Sequence, residues 1–182
     1  LAGMGENKSN IYKTVLISEE QKSKWIAAGG DPNKSVIIPV PVEVPDYGTE
    51  SYIEEFGWED KFVFGMHQRD DIHIFSPVPL EAYDDIQGED TAFLILGGSA
   101  NHRKQAKDYQ LKNVKFLDTT SDISLIHKFL NTLDVYAHGR SDGEQCSSAI
   151  IEGLSHSLPM ISHTAVSMGQ LEQIGNAGVV VD

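Results

Sequence analysis

Short runs of apolar, often β-branched residues recur along this chain, separated by stretches in which apolar positions return every three or four residues. Eight runs predict strands, at 13–17, 36–38, 62–65, 92–96, 114–117, 134–137, 160–162 and 179–181. Several are apolar throughout, without alternation, as expected where both faces of a sheet are covered. Helix signals fall between them. Ser18 with Gln21 three residues on makes a capping box, and Gly29 with Gly30 ends that helix. Ser76 precedes Pro77 at a first helical position, and Gly88 closes that segment. Ser121 caps a stretch in which Ile123, Ile126, Leu130 and Leu133 share one face. Ser147 and Ser148 open a helix running to about Ser157, and Ser167 opens a short one ending near Gly175.

Strand and helix in alternation imply an α/β fold: a Rossmann-like parallel sheet with helices on both faces and right-handed crossovers. Such sheets bind ligands beyond the carboxyl ends of their strands, here 65–69, 97–100, 118–120, 138–146 and 163–167. Pro39, Pro41 and Pro45 mark 39–48 as a stiff connector or an edge.

The 182 residues suit one compact domain, and 40% hydrophobic with 23% charged residues is ordinary for a globular protein. No apolar run approaches the ~20 residues of a membrane-spanning helix. The single cysteine, Cys146, cannot form an internal disulfide, which points to a reducing compartment. The chain starts at Leu1 without a methionine and reads as a piece of something longer. Its net charge is -13, and residues 43–90 hold 14 of the acids against only Lys61 and Arg69. A solvated, solubilising surface explains that stretch. No basic stripe is present to displace counterions from phosphates, so a nucleic-acid partner is not expected.

The most informative segment runs from Val135 to His163. A strand ends, a loop with Gly139 and Gly143 follows, and a helix starts near Ser147, with Glu144 before it and Glu152 eight positions later. The first amides of a helix lack partners and, with its dipole, attract an anion such as a diphosphate. Eight helical positions span at most ~12 Å. Two carboxylates on either side of a phosphate site suit a ligand with hydroxyls at both ends, which is the layout of a nucleotide sugar. Two glutamates alone could equally be a dipole partner and a solvated helix residue.

The same segment resembles the C-terminal motif of the retaining glycosyltransferases of family 4, which have the GT-B fold. That motif is Glu, seven residues, Glu, then a small-residue turn, proline and an apolar strand. The match is Glu144, then Glu152-Gly153-Leu154-Ser155-His156-Ser157-Leu158-Pro159-Met160-Ile161. Further elements follow in the family's order, from 15–29 leaving an N-terminal domain, through 62–65, 93–98 and 113–117, to the closing pattern at 169–182. The resemblance implies that 1–34 is a segment leaving a missing N-terminal domain, with a capping helix. It makes 35–182 the Rossmann-like nucleotide-sugar-binding domain, the C-terminal half of a GT-B enzyme.

Carried over by position, Glu144 is the catalytic candidate and holds the donor sugar's hydroxyls. The amides of Gln145, Cys146, Ser147 and Ser148 hold sugar and diphosphate, Glu152 binds the ribose, and Leu117 and its neighbours meet the base. Gly65 and Arg69 at the end of the first donor-domain strand, and Arg140 in the loop, complete the donor-binding candidates. Two departures stand out. Gln145-Cys146-Ser147 replaces the usual Gly-Phe-Gly, and Met66-His67-Gln68-Arg69 follows Gly65 where the family has arginine and then lysine. Either Arg69 or His67 supplies that charge or the donor is bound more weakly, and Arg69 could equally be a surface residue paired with Asp70 or Asp71.

The expected activity is retaining, hexosyltransferase-like transfer from a nucleotide sugar to an unknown sugar, lipid or protein acceptor, and the fragment alone is expected to be inactive. No metal or other cofactor is expected, since His67 and His73 lack a third ligand at sensible spacing. The expected location is cytoplasmic, with any peripheral membrane contact made through the missing domain. A non-catalytic nucleotide- or sugar-phosphate-binding module is the alternative. A dehydrogenase is disfavoured, because Leu96-Gly97-Gly98-Ser99 lacks the full dinucleotide fingerprint.

Overall fold

The computed structural model describes residues 12–43 and 46–181, so Leu1, Pro45 and Asp182 of the readings above lie outside the described residues. In chain order the elements are β1 (Thr14–Leu16), α1 (Glu19–Ala27), β2 (Ser35–Ile37), α2 (Ile53–Phe56), β3 (Phe62–Gln68), α3 (Val78–Ile86), β4 (Thr91–Gly97), α4 (Ala100–Asp108) and β5 (Val114–Leu117). They continue with α5 (Ile123–Leu130), β6 (Val135–Ala137), β7 (Gly143–Glu144), α6 (Ser148–Ser155), β8 (Met160–His163), β9 (Ser167–Met168), α7 (Gly169–Ile174) and β10 (Gly178–Val181).

Six strands form one parallel sheet in the order β10-β8-β6-β3-β4-β5. Its middle is the most apolar part of the sequence: Ala92 through Leu96 on β4 are all buried. Successive side chains of a strand face opposite ways, and β3 shows which helices cover which face. Phe64 and Phe93 meet the ring of Tyr83 on α3. On the other face, His67 packs edge-on against Phe129 of α5. Two further strand pairs are separate from this sheet: β1 with β2, and β7 with β9, both parallel. β2 thus pairs across the 34/35 boundary with the first segment of the chain.

Local sequence explains most helix starts. Ser18 Oγ accepts from Gln21 N at 3.1 Å, while Gln21 Oε1 reaches back to Ile17 N at 2.8 Å. Ser147 caps α6 through Ile150 N. Three starts differ from the expectation. Asp122, not Ser121, caps α5, its carboxylate accepting from Ser124 N at 2.9 Å. Helix α3 begins at Val78, one residue beyond Pro77. Ser167 opens no helix: it lies in β9, where Ser167 N donates to Asp142 O at 3.0 Å, and α7 starts at Gly169.

Helices α2 and α4 were not predicted at all. The sequence of α4, ANHRKQAKD, has no apolar stripe to read. Its inward face is polar, with His102 and Gln105 buried. Its capping box uses a histidine: Ser99 N donates to His102 Nδ1 at 3.0 Å.

Candidate functional site

The carboxyl ends of β3 and β6, the loop after β6 and the start of α6 surround a cleft of about 480 Å³. Seven of the ten catalytic and donor-binding candidates line it, Arg69, Arg140, Glu144, Cys146, Ser147, Ser148 and Glu152, together with His67. Three stand elsewhere. Gly65 lies within β3, which runs three residues further than predicted. A Cβ there would come within 2.4 Å of Leu133 Cδ2 and 2.6 Å of the Leu94 carbonyl, so this glycine serves packing against β4 and the turn after α5 rather than ligand approach. Leu117 ends β5 without reaching the cleft, although Thr119 and Thr120 just beyond it do. Gln145 faces a neighbouring polar depression of about 350 Å³ and accepts from Gln21 Nε2 at 3.2 Å.

Glu144 is held on three sides. Its strand β7 pairs with β9, and its backbone N–H donates to Gln170 Oε1 at 3.1 Å. Arg140 Nη1 donates to its carboxylate at 3.0 Å. Arg140 also grips Asp142 with two nitrogens, at 2.5 and 3.1 Å. Burial raises the Glu144 pKa above the usual carboxylate value and outweighs the opposing pull of Arg140. Asp142 moves the other way, held down by its hydrogen bonds from Arg140.

The backbone at the start of α6 is partly committed. Ser147 N donates to Gln173 Oε1 at 2.6 Å, so this amide is not free for an anion as the sequence led us to expect. Ser147 Oγ caps Ile150 N. Ser148 and Ala149, the first two helical residues, have no acceptor for their amides within the helix, and both line the cleft. The sulfur of Cys146 receives a hydrogen bond from Gln173 Nε2 at 3.3 Å. Gln170 and Gln173, three residues apart on one face of α7, thus fix the loop from behind. That spacing was present in the sequence, but nothing local marked the face as polar and inward.

Glu152 lies one turn inside α6, with one oxygen 2.7 Å from His67 Nε2. The other ring nitrogen, Nδ1, is 3.2 Å from the Tyr136 hydroxyl. Tyr136 is buried, and burial raises its pKa, so its hydroxyl keeps its proton. His138, at the end of β6, is buried against Ser162 Oγ at 3.0 Å. Burial above all, with His163, Arg140 and His67 nearby adding to it, lowers its pKa to about 4, so it is neutral. Arg69, by contrast, is 68% exposed and paired with Asp71 at 3.4 Å, a weak surface contact.

Among the described residues no three His, Cys, Asp or Glu side chains converge on a point where a metal ion could sit. His67 turns to Glu152, and His73 lies on an exposed turn. No helix among the described residues is long and apolar enough to cross a membrane.

No protein-family model matches the chain, and no curated protein matches it closely enough to be counted. Solved structures do. HepE of Anabaena in complex with UDP-glucose is 19% identical with a TM-score of 0.73, over 88% of this chain and 46% of that one. A glycosyltransferase from Rickettsia africae is 18% identical with a TM-score of 0.75, over 93% of this chain and 49% of that one. WaaG, a glycosyltransferase involved in lipopolysaccharide biosynthesis, is 17% identical with a TM-score of 0.70, over 93% and 49%. The chain spans about half the length of the structures it matches. Its fold is the Rossmann-like C-terminal half of the GT-B glycosyltransferases.

Proposed function

We propose that this chain is the donor-binding half of a family 4, retaining glycosyltransferase, with residues 35–182 as the nucleotide-sugar domain and 1–34 leaving an N-terminal domain that brings the acceptor. The observation that carries this is the placement of Glu144 and Glu152 in one cleft, on either side of the first amides of an eight-residue helix, at the carboxyl end of a parallel sheet. Glu144 faces the donor sugar's hydroxyls and is the catalytic candidate. The amides of Ser148 and Ala149 take the diphosphate, Glu152 takes the ribose, and Thr119 and Thr120 lie where the base would be. The fold it shares with HepE, which was crystallised with UDP-glucose, supports a nucleotide sugar as ligand.

Catalysis in such a site is mostly positioning and stabilisation of the departing diphosphate, with no metal required. The acceptor, a sugar, lipid or protein, meets the donor in the cleft between two domains, so the 182-residue chain alone transfers nothing. We place it in the cytoplasm, with any peripheral membrane contact made through the other domain.

One observation favours the alternative, a binding module without transferase activity. Of the two cleft arginines, Arg140 is held by both Asp142 and Glu144, and Arg69 makes only a weak surface contact with Asp71. A thermal-shift panel of UDP-, GDP- and ADP-sugars with NAD tests the reading. Stabilisation by at least one nucleotide sugar is expected; stabilisation by NAD alone would replace the reading with a dehydrogenase.

A further inference from the structure

Three groups from three elements meet at the floor of the cleft: Tyr136 on β6, His67 on β3 and Glu152 on α6. Their geometry fixes one proton. A carboxylate only accepts hydrogen bonds, so the 2.7 Å contact requires the proton on His67 Nε2. In the neutral form of the ring the lone pair is on Nδ1, where the Tyr136 hydroxyl at 3.2 Å can donate to it. The same hydroxyl accepts from the His67 backbone N–H at 3.2 Å, and His67 O is a second acceptor for its proton at 3.3 Å. The His67 ring is packed edge-on against both Tyr136 and Phe129, so it has one orientation.

We infer that His67 is a positioning residue for nucleotide recognition: it holds one oxygen of Glu152 so that the other points at the ribose hydroxyls, and Tyr136 fixes the His67 tautomer that does this. The inference rests on the donor-binding reading above and adds to it the residue that makes the site selective for ribose. The exposures agree with the roles. The His67 side chain is 15% exposed and the Glu152 side chain 34%, so the supporting group is the more covered one and the carboxylate stays open to the cleft. Fixing one carboxylate oxygen through a partner on another element removes rotamer freedom that a free glutamate would lose on binding. Buried Tyr136 keeps its proton because burial holds its pKa up, which preserves the donor the ring needs.

The test is discrimination rather than affinity alone. Titration calorimetry with UDP, 2′-deoxy-UDP and 3′-deoxy-UDP, and with the GDP and ADP series if UDP does not bind, gives a ribose-to-deoxyribose ratio for each variant. Wild type is expected to prefer the ribonucleotide by roughly tenfold or more. His67→Ala loses most of that preference, and Tyr136→Phe loses part of it. His67→Gln, whose amide can still donate to Glu152, restores it. A ratio unchanged in His67→Ala but collapsed in Glu152→Ala overturns the His67 role and leaves the donor-binding reading standing. No binding by any of the nine nucleotides overturns that reading and this inference with it. The 15N shifts of the His67 ring in the wild-type protein give an answer independent of folding defects in the variants. The Nε2–H tautomer, perturbed on adding the nucleotide, is expected; an Nδ1–H tautomer overturns the inference.

Discussion

The backbone N–H of Ser147 donates to Gln173 Oε1 at 2.6 Å, which binds α6 to α7 and removes that amide from the cleft. The anion-binding capacity of α6 therefore rests one residue further on. Proline is tolerated at Ser148, the first helical position, and Ser147 already has the extended backbone, φ -104 and ψ 120, that a residue before proline requires. Ser148→Pro should melt close to wild type and bind UDP-glucose roughly tenfold more weakly by calorimetry. Ser147→Ala should do the opposite, losing about 1 kcal/mol of stability with the cap and keeping its affinity. Unchanged affinity in Ser148→Pro would mean that the phosphates are held elsewhere.

Glu152→Ala removes a charged acceptor from the cleft while leaving α6 otherwise intact. Loss of such a hydrogen bond is worth ~1.5–3 kcal/mol, or roughly ten- to a hundredfold in nucleotide affinity. Calorimetry on a variant with a wild-type circular dichroism spectrum measures it, and an affinity within twofold of wild type would remove Glu152 from the ribose site.

Gly65→Ala separates packing from binding. The Leu133 side chain can shift, but the Leu94 carbonyl at 2.6 Å belongs to the neighbouring strand. We expect a stability loss of about 1–3 kcal/mol in urea unfolding, with the affinity of the folded fraction for UDP-glucose unchanged.

Burial lowers the pKa of His102, His138 and His156 to about 4, with His163 adding to the effect at His138 and His127 at His156. In the unfolded chain a histidine takes its proton near pH 6.5. Below that pH the unfolded state gains protons that the folded state does not, so stability is whole above about pH 6.5 and drains away as the pH falls towards about 4. Urea midpoints across this window should fall steadily. His102→Asn, which removes one titrating ring, should flatten the slope. A level profile in wild type would show that these rings are not held neutral.

The alternation of apolar runs and capped stretches determined the parallel sheet, because strands buried on both faces must be apolar throughout, as Ala92 through Leu96 are. The Glu144–Glu152 spacing allowed two carboxylates to flank one helix start but did not require it: Glu152 is placed by helical geometry, whereas Glu144 lies on β7, outside the helix, and is set by its pairing with β9. Sequence was silent where the deciding partner lies far along the chain. His67 and Glu152 are 85 positions apart, and Ser147 and Gln173 are 26 apart. Helix α4 carries no apolar stripe because its buried face bonds through His102 and Gln105 instead. Gly65, a strand end by its neighbours' pattern, became an interior packing position once β4 and the turn after α5, through Leu133, closed on it. Local periodicity specifies which face of an element is buried; only the assembled sheet decides what that face meets, and so which carboxylate is held, which amide is spent and which remains open to a ligand.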